Sequence, residues 1–328
     1  MVRILAILGL LFTVVIGGAA LFIVRFKPAQ RPPSTDVVER TPARIERGRY
    51  LVNHVLGCFD CHSERDLTRY GGPAKGPTGA GGDCFGAREK FPGTLCMPNI
   101  TSHPTAGIGA WTDGEIKRAI REGVGRDGQA LFPIMPYTEY KALSEEDTNA
   151  AVAYLRTLAP VDKVVPRADI DFPVKYFIKL APQPLAGDVP EPPAGDRLAM
   201  GKYLARISGC IACHTPVDSR HQPVPGQELS GGQEFSGPFG KLRSANLTPH
   251  ATGLGDRSET AFVALFKAYA GPPESLPVVS PEANTVMPWT SRAQMTEADL
   301  ATIYADLRSV PPIERVVEKR TPPPMRKP

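Results

Sequence analysis

Cysteine is scarce in this sequence, with six in 328 residues, so each can be placed individually. An excess of one charge is also lacking: the formal net charge is +4, too little to argue for a nucleic-acid surface. Long apolar runs are missing after the first 27 residues, which excludes a polytopic membrane protein. Period-two alternation is scarce as well, so the sequence predicts an all-α fold rather than sheets. What remains is 42% apolar and 22% charged, the make-up of globular protein and not of a disordered chain. The length accommodates two ordinary domains.

Proline and glycine are plentiful, 35 and 31 residues, and imply long irregular loops between short helices. The one apolar run is Ile4 to Val24, 21 residues without a charge. As a helix it would measure about 31 Å, close to a hydrocarbon core of about 30 Å. The alternative is a cleaved signal peptide, and Gly18-Ala19-Ala20 resembles a cleavage site. The run continues past it through Val24, beyond the roughly 7–15 residues of a signal core. The expectation is a membrane anchor over 1–27 and a proline-rich stalk over 28–43.

A tandem repeat organises the rest. Cys58, Cys61 and His62 recur 152 residues later as Cys210, Cys213 and His214, and Met135-Pro136 recurs at the same offset as Met287-Pro288. Ser144, Asp147, Leu155 and Arg156 recur as Thr296, Asp299, Leu307 and Arg308, still at 152, whereas Asn99-Ile100-Thr101 returns as Asn246-Leu247-Thr248 at 147. Loop insertions in one stretch are balanced by deletions in the next, as in two copies of one fold. The expected units are 44–160 and 196–312, joined by a proline-rich linker over 161–195 and followed by a basic, proline-rich tail over 313–328. Each copy is predicted to open with an amphipathic helix running into its cysteine motif. Each closes with a capped helix that begins Ser144-x-x-Asp147 or Thr296-x-x-Asp299. A middle helix is expected after Thr112-x-x-Glu115 and another from about Ser258.

Cys58-Phe59-Asp60-Cys61-His62 and Cys210-Ile211-Ala212-Cys213-His214 are both C-x-x-C-H, the attachment signature of c-type haem. The two thiols bond covalently to the haem vinyl groups, and the following histidine ligates iron. The spacing suits one helical turn, where residues i and i+3 face the same way. Zinc would need four ligands per site, and neither copy offers an obvious second pair at finger spacing. A dithiol redox pair would sit in a βαβ setting, which the sequence lacks. Two covalent haems c are therefore expected, and their propionates would offset part of the positive charge. For the sixth iron position Met135 and Met287 are expected, since each lies 73 residues after its histidine and before Pro-aromatic. Met97, Met295, His54, His103, His221 and His250 are weaker competitors, better explained by packing or surface roles. Asn99, Trp111 and Thr101, with Asn246 and Thr248, either donate to haem propionates or only build a loop turn. Cys84 and Cys96, twelve apart in a glycine-rich loop, are expected to pair in an oxidising compartment.

Arg47-Gly48-Arg49-Tyr50-Leu51, the C-x-x-C-H, Asn99-Ile100-Thr101, Gly107-Ile108-Gly109-x-Trp111-Thr112-Asp113 and Met135-Pro136-Tyr137 resemble the cytochrome c subunits of bacterial membrane-bound dehydrogenases of the alcohol, aldehyde or nicotinate type. The resemblance covers most of 44–160 and, more loosely, 196–312. It implies class I cytochrome c domains with His/Met iron, fed by a flavin, quinoprotein or molybdenum partner. The chain departs from the three-haem members in having two attachment motifs, and its second copy lacks the Trp-Thr-Asp element.

The resulting expectation is an electron-transfer protein and not an enzyme. It would sit in the bacterial cytoplasmic membrane by one span, with its haem domains in the periplasm. Arg25, Lys27 and Arg31 weakly oppose that orientation, but haem c is attached outside the cytoplasm. Redox partners would be a dehydrogenase subunit, a terminal oxidase or a soluble cytochrome. The alternative is a dihaem peroxidase or thiosulfate-oxidising enzyme, which needs one labile distal ligand and which Met135 and Met287 argue against.

Overall fold

The computed structural model describes residues 17, 18, 21, 23–89 and 91–323. Of the expected anchor over 1–27, only residues 17, 18, 21 and 23–27 are described, and the rest lies outside the described residues. Among those residues, no helix is long and apolar enough to cross a membrane. The expected stalk is not a free spacer. Its Gln30 side chain donates to Gly128 O at 3.2 Å, Arg31 pairs with the buried Glu122 at 2.8 Å, and Val38 N donates to the Asp113 carboxylate at 2.9 Å. The segment is a strap along the first copy.

Two runs of elements follow the same order. The first is α1 (Pro42–Tyr50), a π-helical turn (Leu51–Val55), α2 (Cys58–His62), α3 (Asp113–Glu122), α4 (Tyr137–Tyr140) and α5 (Glu145–Leu155). After a short connecting helix, α6 (Val174–Phe177), the second is α7 (Arg197–Ile207), α8 (Cys210–His214), α9 (Glu259–Lys267), α10 (Trp289–Arg292) and α11 (Glu297–Ser309). Local chemistry starts the helices. Thr112 and Glu115 form a reciprocal capping box on α3. Ser144 and Thr296 accept from the amides of Asp147 and Asp299 at the heads of α5 and α11.

The first and last helices of each copy cross closely. At Gly48 an added Cβ would collide with the Ala150 carbonyl, and at Gly201 with that of Thr302, so a side chain at either position would push the helices apart. One continuous apolar cluster then runs through both copies, including Leu51, Val55 and Val152 of the first and Leu204, Leu300 and Leu307 of the second.

The all-α expectation is overturned by three small antiparallel sheets. One pairs β1 (Glu64–Arg65) with β2 (Ala74–Lys75). A second orders β3 (Cys84–Phe85), β4 (Gly93–Cys96) and β5 (Asp169–Ile170), and a third β6 (Glu234–Gly237), β7 (Gly240–Arg243) and β8 (Arg320–Thr321). Strands of two to four residues are too short to leave a period-two pattern. The last two sheets share a logic: after its closing helix, each copy sends its chain back to add a strand to its own hairpin. The linker does this as β5 and the tail as β8. Cys84 and Cys96 are direct register partners across β3 and β4, and they form a disulfide.

Candidate functional site

Each attachment motif is set off from its helix by a left-handed glycine, Gly57 at φ 65° and Gly209 at φ 85°. The helix expected to run into the motif is thus broken, and the C-x-x-C-H forms a separate turn, α2 or α8. The lead-in helices differ by one residue: eight positions separate Tyr50 from Cys58, and seven separate Tyr203 from Cys210. The extra residue is absorbed by the π-helical turn, with Leu56 N donating to Leu51 O at 2.8 Å.

The two motifs present the same set of groups. The first cysteine is half-buried and the second exposed in both, and none of the four is in a disulfide. Surrounding protein disfavours the thiolate at the first cysteine of each: burial, aided by Asp60 and Cys61, pushes Cys58 up to about 12, and burial raises Cys210. A redox or nucleophilic thiol needs the opposite shift.

His62 Nδ1 lies 2.7 Å from the Pro98 carbonyl and His214 Nδ1 2.8 Å from that of Ala245. A carbonyl only accepts, so Nδ1 carries the proton and Nε2 keeps its lone pair for a metal. Burial holds both imidazoles below their usual pKa, against the opposing carbonyl bond, which keeps them neutral and able to ligate. Among the described residues no three His, Cys, Asp or Glu side chains gather as a metal cage. A haem iron, which brings most of its ligands with it, would need no such cage. The donor set fits haem c: two cysteines outside any disulfide would bond the vinyl groups and one oriented imidazole would ligate the iron.

Met135 and Met287 occupy matching turns. Tyr137 N donates to Met135 O and Trp289 N to Met287 O, both at 2.8 Å, and the intervening Pro136 and Pro288 head α4 and α10. Both methionines are half-buried against the apolar cluster that Cys58 and Cys210 also touch. The competitors have other work. Met97 packs with Leu95 and Ile170 at the second sheet, and Met295 is fully enclosed in the core. His103 Nδ1 accepts from Ala106 N, and His250 Nδ1 accepts from Thr252 N, so each closes its own loop.

Asn99 and Asn246 are built alike. Asn99 Oδ1 accepts from Thr101 N and Oγ1, and its amide donates to Val161 O and Lys163 O at 2.9 and 3.1 Å. Asn246 repeats this with Thr248, donating to Ile313 O at 2.9 Å and, at longer range, to Thr252 Oγ1 at 3.2 Å and Arg315 O at 3.5 Å. These amides fasten the loops that carry the Pro98 and Ala245 carbonyls to the strap of chain that returns after each closing helix, at Val161 and Lys163 or at Ile313. Trp111 is half-buried against the core, and Arg156 donates to its carbonyl.

Sequence reasoning missed two groups. Tyr50 and Tyr203 cross between the copies, and Arg292 lies between the two motifs. The tyrosines were detectable as a repeat, but at an offset of 153 they fall out of register with the motifs. Arg292 carried no repeat signal, because its counterpart is Tyr140.

Residues 45–159 match the family model described as cytochrome c, and they form a cytochrome c domain. Such a domain binds haem c covalently and transfers electrons through its iron. The chain is similar to the cytochrome c subunit of a quinone-dependent alcohol dehydrogenase of Gluconacetobacter polyoxogenes, 29% identical over 83% of this chain and 57% of the relative. It is also similar to the fructose dehydrogenase cytochrome subunit of Gluconobacter japonicus, 29% identical over 88% of this chain and 56% of the relative. A diheme cytochrome c-type protein of Cereibacter sphaeroides is 29% identical over 74% of this chain and 78% of its own length. The chain thus spans a little over half the length of the two dehydrogenase subunits.

Proposed function

We propose that this chain is a dihaem electron carrier that accepts single electrons from the catalytic subunit of a dehydrogenase and passes them to a respiratory acceptor. The observation that carries the reading is one arrangement found twice. In each copy a C-x-x-C-H turn sets its histidine against a backbone carbonyl, at Pro98 or Ala245, and a Met-Pro-aromatic turn lies in the same apolar cluster. Cys58, Cys61, His62 and Met135 would hold one haem, and Cys210, Cys213, His214 and Met287 the other. A haem iron supplies one-electron chemistry, and a thioether ligand favours its ferrous form.

The similarity to a diheme cytochrome supports the count of two, and the similarity to dehydrogenase cytochrome subunits supports the donor. Chemistry on the organic substrate belongs to the partner. The Cys84–Cys96 disulfide and the attachment of haem c favour a location outside the cytoplasm. Coulometric titration of the purified chain tests the reading. Two electrons per chain, with no carbon monoxide bound to the reduced protein, is the expected result. One electron per chain, or stoichiometric carbon monoxide binding at one iron, overturns it in favour of a single carrier or a dihaem enzyme.

A further inference from the structure

Arg292, at the end of α10 in the second copy, is only 8% exposed. Its guanidinium is shared between the copies. Nε and Nη2 donate to Ser208 O at 3.2 and 3.0 Å, Nη2 reaches Leu56 O at 3.5 Å, and Nη1 donates to His54 O at 2.7 Å. Leu56 and Ser208 are equivalent positions, each two residues before the first cysteine of its motif and each closing its lead-in helix. Carbonyls at a helix C-terminus carry partial negative charge, and here one cation answers both. The same group faces the motif itself, with Nη1 3.9 Å from Asp60 Oδ2 and the Ser291 hydroxyl donating to that oxygen at 2.6 Å. In the first copy the equivalent residue is Tyr140, whose hydroxyl donates to the same Leu56 carbonyl at 2.8 Å but carries no charge.

A buried arginine is costly unless its donors are satisfied, and its ion-pair partner Asp60 stands at 3.9 Å, beyond hydrogen-bond reach. Arg292 satisfies them almost entirely with backbone of the two lead-in segments. Through the Leu56 and Ser208 carbonyls its charge lies beside both attachment turns, two residues before Cys58 and two before Cys210. Arginine keeps that charge at any working pH.

We propose that Arg292 is a positioning residue for both haem sites, which fixes the two attachment turns relative to each other and places one permanent positive charge between them that raises both reduction potentials. A cation near an iron centre favours its ferrous state over its ferric state, because reduction removes one positive charge from the site. The inference rests on the two-haem reading. A surface charge would be screened by salt, whereas one this buried is screened much less.

The test uses the full chain carrying Arg292→Gln or Arg292→Lys, with haem content measured first and both midpoints then followed by spectroelectrochemical titration at low and high salt. Arg292→Gln is expected to shift both midpoints downward by similar amounts at either salt, while Arg292→Lys, which keeps the charge and loses the fork, leaves them near wild type. Both variants are expected to unfold more readily than wild type. Two loaded haems with unmoved midpoints in Arg292→Gln would reduce the residue to a strut and overturn the proposal. If the glutamine variant fails to load haem, a downward shift in Arg292→Lys despite its charge overturns it equally. A wild-type chain carrying a single haem would instead sink the two-haem reading.

Discussion

The Tyr50 hydroxyl donates to Asp299 Oδ2 at 2.5 Å, joining the lead-in helix of the first copy to the closing helix of the second. The reverse contact is present too, with the Tyr203 hydroxyl donating to Asp147 Oδ2 at 2.7 Å. Each tyrosine oxygen also accepts a backbone N–H at the head of the other copy's closing helix, from Thr296 at 3.1 Å and from Ser144 at 3.3 Å. The copies are thereby held by a reciprocal pair of contacts, as across a twofold interface. Only one end carries an added ion pair. Arg47 grips Asp147 with two bonds of 2.8 Å, while the position matching Arg47 is Met200.

Removing either hydroxyl leaves a buried or half-buried carboxylate short of a donor. Tyr50→Phe and Tyr203→Phe are each expected to cost about 1.5–3 kcal/mol, the range for hydrogen bonds to charged groups. Urea denaturation of the single and double variants reads this out. A double variant as stable as wild type would mean that the crossed contacts contribute nothing.

The same pair predicts an alkaline limit. Burial, with the bond to Asp299, pushes Tyr50 up to about 12, and burial with the nearby Asp147 raises Tyr203 as well. Both folded values lie above the unfolded tyrosine value of about 10. Their contribution is therefore complete below about pH 10 and is lost as pH rises through the folded values. Between pH 9 and 12 the double phenylalanine variant should lose stability less steeply than wild type. Parallel curves would exclude these tyrosines as the cause.

Gly48 and Gly201 mark the closest approach of the first and last helices of their copies. Gly48→Ala or Gly201→Ala drives a methyl into a backbone carbonyl that cannot move aside without shifting a helix. A cost of about 1–3 kcal/mol or more is expected from such overpacking. Because both crossings feed one apolar cluster, melting of haem-loaded protein should fall for either variant. An unchanged melting temperature would show that the crossing has slack.

Met135→Ala and Met287→Ala should each lower the midpoint of one haem and open that iron to carbon monoxide, leaving the other unchanged. Absorbance spectra before and after gas addition decide it. If one variant is spectroscopically silent, the methionine at that site is not the ligand.

The attachment motifs and the Met-Pro turns were legible in the sequence because chemistry fixes their residue types, and the spacing between them survived loop drift. The capped helices were legible for a similar reason, since Ser144 and Thr296 leave a local signature. The sheets were not, because strands as short as β5 and β8 owe their pairing to distant backbone rather than to side-chain alternation. The break at Gly57 and Gly209 was missed because a single left-handed residue interrupts the helix without interrupting its apolar face. Asn99 and Asn246 were visible as repeats, but their part in fastening the strap depends on Val161, Lys163 and Ile313, which lie more than 60 residues away. Arg292 escaped for the opposite reason. A search for repeats finds what the copies share, and this residue is where they differ.

The central claim is that both C-x-x-C-H turns carry haem. Intact mass together with a pyridine haemochrome assay on the purified chain measures it directly, and peptide mapping assigns each haem to its cysteines. The account predicts two haems c per chain, one on Cys58 and Cys61 and one on Cys210 and Cys213. A single haem, or free thiols at either motif in the mature protein, would contradict it.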